Sequence, residues 1–272
     1  MNSGLPHVTV GLWLESWTQP AWRVRALRLL LARPDVRVAY VSVADESSSA
    51  AAAPKLNGLL RRLLRRDHGR AIRFCPDAFA PEDARTLLND VPLASTLAAA
   101  VSVDVIVQFG RAAPPAAHVA AARAGLWRYD ADPSQLLDEL PVGFWDVVQG
   151  RETLTTVLRQ QDHAIHVRVA ATALGSVVHT AMQALWRQSG DLAIKLGQLA
   201  TLGPAALDPI PAAPAASDRG VPGVLSSAAL WMRHTARVAR RWAMLRGGQY
   251  QWHLMAAPAG GDPRGEFDLA RY

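Results

Sequence analysis

Apolar runs typical of buried strands alternate with helical patterns over the first half of the chain. The runs at 8–14 and 36–43 flank a segment, 20–31, that opens with proline and repeats apolar residues at helical spacing. A strand, a helix and a strand at this spacing form a βαβ unit, which favours a parallel sheet. The run Asp104–Gly110 ends at a glycine and predicts the central strand of that sheet.

Other segments extend the pattern to about residue 202. The leucines of 55–66 form one stripe fringed by arginines, and 176–202 predicts one or two amphipathic helices. The remaining predictions are a short strand at 72–76, a helical turn or two at 81–88, a helix at 116–124, a strand and loop at 125–133, and a last strand within 157–172. The sequence therefore predicts an α/β fold, with a Rossmann-like, mostly parallel sheet, helices on both faces and a C-terminal helical extension.

Changes in composition divide the chain. We predict an α/β domain at 1–203, a Pro/Ala-rich linker at 204–224, a basic amphipathic helix at 225–248 and a tail at 249–272. One side of the helix carries Trp231, Val238, Trp242 and Leu245, and another carries Arg233, Arg237, Arg240 and Arg241. Such a helix could dock on the domain or bind a partner protein or an anionic membrane surface.

Composition bounds the class of protein. The chain has 272 residues, half of them hydrophobic, so we expect a packed core. Its single cysteine, Cys75, excludes an intramolecular disulfide framework, and a buried, inert thiol is favoured over a nucleophile. The N-terminus lacks a secretory pattern and no apolar run approaches the length of a membrane span, so we expect a cytoplasmic protein without a transmembrane segment.

The formal net charge of +6 comes mostly from arginine. It is compatible with phosphate-bearing ligands, nucleic acid or an anionic membrane, and it also occurs in chains that bind none of these. Segment 55–66 has no aromatic residues that could stack on bases, so there is no strong nucleic-acid signal. His163 and His166 would face opposite sides of a strand, and we expect no metal site. The phosphate-binding glycine motifs are absent from the sequence.

Two motifs in the middle of the chain carry a resemblance. A "G-x-W" strand at Gly125–Pro133 precedes a "GFW…G" segment at Gly143–Gly150. This layout resembles the N-terminal domain of the folate-dependent formyltransferases over about 8–202, and more closely a branch of formyltransferase-like proteins. The resemblance implies transfer of a formyl group from 10-formyltetrahydrofolate to an amine of a sugar or other small molecule.

The resemblance also implies roles for particular residues. In the family, the loop after the strand supplies an asparagine and then a histidine, and these positions, counted from Gly125, fall on Arg128 and Asp130. A later aspartate of the family is matched by Asp162. Arg128 would then hold the oxyanion, and Asp130 or Asp162 would accept the proton of the amine. The family's "HPS" loop is altered here to Asp130–Pro133.

Open α/β sheets bind ligands at the carboxyl ends of their strands. There we expect Glu15 and Trp17 to contact the substrate, and Phe109, Gly110 and Trp127 to contact the cofactor. One alternative is a catalytically degenerate homologue that acts as a binding or assembly protein through its basic helix. A further alternative, a nucleic-acid-binding accessory protein, depends on the arginine content alone.

Overall fold

The structure is a computed structural model that describes residues 7–44, 56–94, 102–133, 136, 139–173, 175–210 and 221–246. In chain order its elements are β1 (Val8–Leu14), β2 (Thr18–Pro20), α1 (Ala21–Leu31), β3 (Val36–Val43), α2 (Gly58–Ala71), β4 (Pro81–Asp83), β5 (Val105–Phe109), α3 (Ala116–Ala121), β6 (Leu126–Tyr129), α4 (Phe144–Gln149), β7 (Thr153–Gln160), β8 (His163–Ala171), α5 (Val177–Gln188), α6 (Asp191–Leu202) and α7 (Val224–Arg246). A short 3₁₀ turn, Gly203–Leu207, follows α6.

The main sheet has six strands in the order β3-β1-β5-β6-β7-β8. The first four strands pair in parallel, whereas β7 and β8 are antiparallel and form an edge hairpin. Strands β2 and β4 make a separate two-stranded pair beside α1. The predicted class, an α/β fold with a mostly parallel sheet, is therefore confirmed.

The side chains of the strands alternate between two clusters of buried residues, one on each face of the sheet. Val105, Val107 and Phe109 of β5 point into the larger core, together with the apolar residues of α1, α5 and α6. Ile106 points to the opposite face and joins a smaller cluster there with Tyr40 of β3. Because successive side chains of a strand alternate between faces, one strand serves both clusters. We call the face of the larger core the first face and the other the second face.

Three expectations for the elements are corrected. Segment 72–76 forms turns rather than a strand, because α2 continues to Ala71 and its last carbonyls accept bonds from residues that follow. Segment 81–88 begins with strand β4 and then turns. Segment 157–172 belongs to two strands, since the chain reverses at Gln161, which has a φ of 51°.

Helix α7 lies against the rest of the protein. Its inward stripe includes Ser227 and His234, both buried. Asn57, which caps α2 by accepting from Leu60 N–H, also donates from Nδ2 to Pro222 O at 2.9 Å and to Ser227 Oγ at 3.0 Å. Of the two faces expected for this helix, Trp242, Leu245 and Arg241 have side chains outside the described part of the structure. The division into four segments stays a prediction.

Candidate functional site at the carboxyl ends of the strands

The parallel strands β1, β5 and β6 end at the same edge of the sheet, which we call the carboxyl edge. The chain leaves β1 for β3 on one side and later returns to β5 on the other side, so β1 and β5 border the topological switch point. Ligands of open α/β sheets bind outside this point. The residues that follow the strands there are Glu15, Gly110 and the loop Asp130–Pro133.

A buried arginine ties these loops together. Arg23, in the first turn of α1, is 1% exposed and donates from Nε to Asp132 Oδ1 at 2.7 Å and from Nη2 to Asp132 O at 2.8 Å. Its Nη1 donates to Gln19 Oε1 at 2.9 Å and lies 3.9 Å from Glu15 Oε2. A buried charge requires such partners, because an unpaired guanidinium would be strongly destabilising. Arg23 therefore fixes the β6 loop against α1.

Gly110 completes the connection from the end of β5. Its N–H donates to Asp132 Oδ2 at 2.5 Å, so both oxygens of this carboxylate accept hydrogen bonds from the protein. Its φ of +102° favours glycine. A Cβ at this position would lie 2.5 Å from both Cβ and Oε2 of Glu15. Glycine is thus required by conformation and by the close approach of Glu15.

The pKa values of two carboxyl groups are raised at this edge. Burial raises the pKa of Asp132, and Arg23 opposes that shift while Glu15 adds to it. Burial also raises the pKa of Glu139, whose carboxylate accepts from Arg111. The negative charge of Asp132 raises the Glu139 pKa further, so the two groups are close enough to interact. We call Glu15, Asp132 and Glu139, with Arg23 and Arg111, the acidic cluster.

The acidic cluster has three carboxyl groups and two guanidinium groups. When all five are charged, these groups together carry a net charge of one negative unit. Glu139 and Arg111 are the accessible members, with side chains 31% and 35% exposed, whereas Asp132 is 11% exposed. Such an arrangement favours a cationic group of a ligand, and a carboxyl group with a raised pKa suits proton transfer near neutral pH.

Of the residues expected from the sequence, Glu15 belongs to the cluster, and Gly110 borders it by donating to Asp132. Phe109 and Trp127 are fully buried in the larger core, where Phe109 lies 6.4 Å from the Tyr129 ring and Trp127 Nε1 donates to Ala124 O. They present no surface to a ligand. Trp17 is partly buried and packs beneath the Arg85 guanidinium, 5.6 Å from the ring centre.

The three residues expected to be catalytic, Arg128, Asp130 and Asp162, lie around Arg159 rather than in the acidic cluster. Arg128 and Asp130 are exposed, and Asp130 accepts from Arg159 Nε. Asp162 lies in the turn between β7 and β8, next to the amino-terminal end of β6, because Gln161 N–H donates to Leu126 O at 2.9 Å. Its main-chain oxygen accepts from Arg159 Nη1 at 2.8 Å. The structure does not bring Asp162 to the carboxyl edge.

Sequence reasoning missed Arg23, Arg111, Asp132 and Glu139. A signal for Asp132 was present, because matching the "HPS" motif on Pro133 rather than counting from Gly125 shifts each position by two residues. Asp132 would then take the place of the histidine. No such signal existed for Arg23, whose role depends on the packing of α1 against the β6 loop.

Other features bear on the chemistry of the described residues. Among them, no three His, Cys, Asp or Glu side chains group as metal ligands. Burial, with the charge of Asp77, raises the pKa of Cys75 to about 11, so this thiol stays protonated near neutral pH. Within the same residues, no helix has the length and apolar character needed to span a bilayer.

Fold and site together define an α/β protein with a charged carboxyl edge, and two solved structures are similar to it. The first is a glycinamide ribonucleotide transformylase 1 from Symbiobacterium toebii, 10% identical, with a TM-score of 0.42, covering 75% of this chain and 92% of that one. The second is a phosphoribosylglycinamide formyltransferase from Brucella melitensis, 12% identical, with a TM-score of 0.43, covering 76% and 100%.

No protein-family profile matches the chain. No curated protein matches it either.

Proposed function

We propose that the acidic cluster binds a small molecule through a primary amine and that the chain is a formyltransferase-like protein acting on that amine. The observation that supports this most directly is the excess of carboxyl groups at the topological switch point. An ammonium group entering there would balance the residual negative charge. The chain as a whole has a net charge of +6, so the total charge would not predict a cationic ligand, whereas the charge of this cluster does.

Formyl transfer requires a proton acceptor for the amine and a donor for the oxygen on which negative charge develops. The bound ammonium must first lose a proton so that its nitrogen can attack the formyl carbon, and that nitrogen loses a second proton as the bond from the formyl carbon to the carrier nitrogen breaks and the carrier nitrogen takes up a proton. Glu139 is the best-placed acceptor, because its pKa is raised and its side chain is partly exposed. Arg111 beside it can face the oxygen on which negative charge develops. Asp132 acts as a positioning residue, since both of its oxygens hold Arg23 and Gly110.

The fit to 10-formyltetrahydrofolate is partial. A carboxyl group next to a guanidinium suits the formyl end of the carrier. The aromatic residues expected to contact its ring system, Phe109 and Trp127, are in the core. We assign no residue to the ring system, and the carrier belongs to the proposal only as the source of the formyl group.

A second candidate is a degenerate homologue that binds without catalysis. It is favoured by Asp130, which pairs with Arg159, and by Asp132, whose oxygens are engaged. Neither of the positions matched to the family histidine therefore carries a free base. In this case the outward face of α7, with Arg233 and Arg240 exposed, would contact a partner protein.

Two measurements separate the candidates. Calorimetry should show that glucosamine binds and that N-acetylglucosamine, which lacks the charged amine, does not. Formyl transfer from 10-formyltetrahydrofolate to amino sugars should then fall about 100-fold or more in Glu139→Gln. Asp35→Asn is the matched control, because Asp35 pairs with Arg33 at the opposite edge of the sheet.

The outcomes are distinct. Binding of glucosamine without turnover would favour the degenerate homologue. Loss of turnover in Asp162→Asn but not in Glu139→Gln would return the proton acceptor to the position implied by the family. Equal binding of the two sugars would contradict the amine site itself.

A further inference from the structure

A row of polar side chains crosses the second face of the sheet. Strand pairing sets Trp13 beside Ser42 and Gln108, Gln108 beside Arg128, and Arg128 beside Arg159. Directly paired residues project to the same side of a sheet. His118 of α3 packs over this row, with its ring 6.1 Å from the Trp13 ring. We call Trp13, Gln108, His118, Arg128 and Arg159 the second-face row.

Three buried polar atoms of the row have no hydrogen-bond partner in the part of the chain that the structure describes: Trp13 Nε1, Gln108 Oε1 and His118 Nδ1. Gln108 is 4% exposed, and its Nε2 donates to Gly110 O at 2.9 Å and Ala112 O at 3.2 Å. These two bonds fix the orientation of the amide, so Oε1 is the unpaired acceptor. An unpaired buried polar group is destabilising, and three neighbouring ones indicate a common partner.

The charges of the row point to the nature of that partner. Arg128 and Arg159 are directly opposite each other in the antiparallel pair of β6 and β7. Like charges in this relation are destabilising. Asp130 pairs with Arg159, whereas Arg128 is exposed and has no ion pair among the described residues. The Arg128 guanidinium therefore leaves this row with a net positive charge, whereas the acidic cluster has a net negative charge.

We propose that the second-face row binds a small anion that also carries an N–H donor. The anionic group pairs with the Arg128 guanidinium, whose planar array of donors matches a carboxylate or a phosphate. The ligand N–H donates to Gln108 Oε1, and Trp13 Nε1 donates to an acceptor of the ligand. This site lies on the second face and the amine site at the carboxyl edge, and the two meet at Gly110, whose O accepts from Gln108 and whose N–H donates to Asp132. An ordered water is the competing partner for the unpaired atoms.

Matched pairs of probes test the proposal by calorimetry on the full chain. N-acetylglycine and acetate share a carboxylate, and only the first has an amide N–H. O-phosphoethanolamine and inorganic phosphate share a phosphate, and only the first has an N–H donor. The proposal expects the donor-bearing member to bind more tightly in at least one pair. The pair that responds identifies the anionic group as carboxylate or phosphate.

Substitutions of single residues show which side chains contact the ligand. Arg128→Gln should weaken binding of both members of the responding pair by about 10- to 100-fold, because a charge-assisted bond is lost. Gln108→Met should remove the preference for the donor-bearing member and leave binding of the simple anion. Arg123→Gln is the matched control, since Arg123 is exposed and pairs with Asp104 at the opposite edge. Thermal unfolding of each variant verifies that it is folded.

Three results would overturn the proposal. The first is that none of the four probes binds at millimolar concentration. The second is that Arg123→Gln weakens binding as much as Arg128→Gln does, which indicates general attraction to a basic protein. The third is that donor-bearing and simple anions bind equally, which leaves water as the partner of Gln108.

Discussion

Gly110 shows at the scale of one residue how the carboxyl edge is held. Alanine there would force a side chain into a φ of +102° and place Cβ 2.5 Å from Glu15. We expect Gly110→Ala to lower the free energy of unfolding by about 2 kcal/mol or more. Gly58→Ala is the control, because Gly58 starts α2 with nothing within 4 Å of where the alanine methyl group would lie, and alanine favours a helix by about 0.5–1 kcal/mol. Urea denaturation measures both, and equal effects would contradict the argument.

Replacing Asp132 should lower the free energy of unfolding far more than replacing Asp130, although the two are only two residues apart. Asp132→Ala leaves the buried Arg23 without its main ion-pair partner, and we expect a loss of about 3–5 kcal/mol in the free energy of unfolding. Asp130→Ala breaks an accessible pair with Arg159, which is worth about 1 kcal/mol or less. Chemical denaturation at neutral pH gives both values. A larger loss at Asp130 would show that Asp132 is not the residue that holds the edge.

Helix α7 is the element whose docking should respond to pH. Its His234 is buried, and burial lowers the pKa of the imidazole, with Arg237 adding to the shift while Asp67 and the carbonyls of Gly175 and Val147 oppose it. Because the folded pKa is below the unfolded value, the unfolded state binds more protons. The docked helix is therefore fully stabilised above about pH 6.5, and stability is lost as the pH falls below that value.

Hydrogen exchange across 224–238 measures this effect. We expect protection, corrected for intrinsic exchange rates, to decrease between about pH 7 and pH 5.5. His234→Gln should remove most of that decrease. His179→Gln is the matched control, because His179 is also buried with a lowered pKa but belongs to α5. If His179→Gln rather than His234→Gln removed the decrease, the response would come from α5.

The elements that sequence reasoning found are those whose pattern has a local cause. Continuous apolar runs marked β1 and β3, and proline at the start marked α1. The β7–β8 hairpin was merged into one strand, because its turn at Gln161 and Asp162 contains neither glycine nor proline. Of the acidic cluster, the sequence predicted only Glu15, together with Gly110 beside it. Its other members come from separate elements, and only tertiary packing brings them together.

At the scale of the whole molecule, groups of opposite net charge lie close together on one sheet. The acidic cluster gathers at the carboxyl edge beside α1, and the second-face row has an arginine without an ion pair among the described residues. A net charge of +6 alone does not reveal this division. Gln108 of β5 belongs to the second-face row, and Gly110, which follows the strand, donates to Asp132 of the acidic cluster, so two proposed sites of opposite preference are two residues apart along the chain.

The last prediction concerns α7 and the rest of the molecule. A chain ending at Ile210 loses the Asn57 bonds to Pro222 and Ser227, and also the bond from Arg237 Nη1 to Val148 O at 2.8 Å. The larger core draws mostly on residues before 203. We therefore expect this shorter chain to fold with a melting temperature about 5–15 °C lower, since about 2–4 kcal/mol of contacts is lost.

Calorimetric unfolding of the two chains tests this expectation, and circular dichroism verifies that the shorter chain keeps its sheet. Arg237→Gln in the full chain is the companion variant, because it removes one docking bond and should lower the melting temperature by only about 2–4 °C. Equal melting temperatures would mean that α7 does not dock in solution. Failure of the shorter chain to fold would mean that α7 completes the core, and the domain could then not end near residue 203.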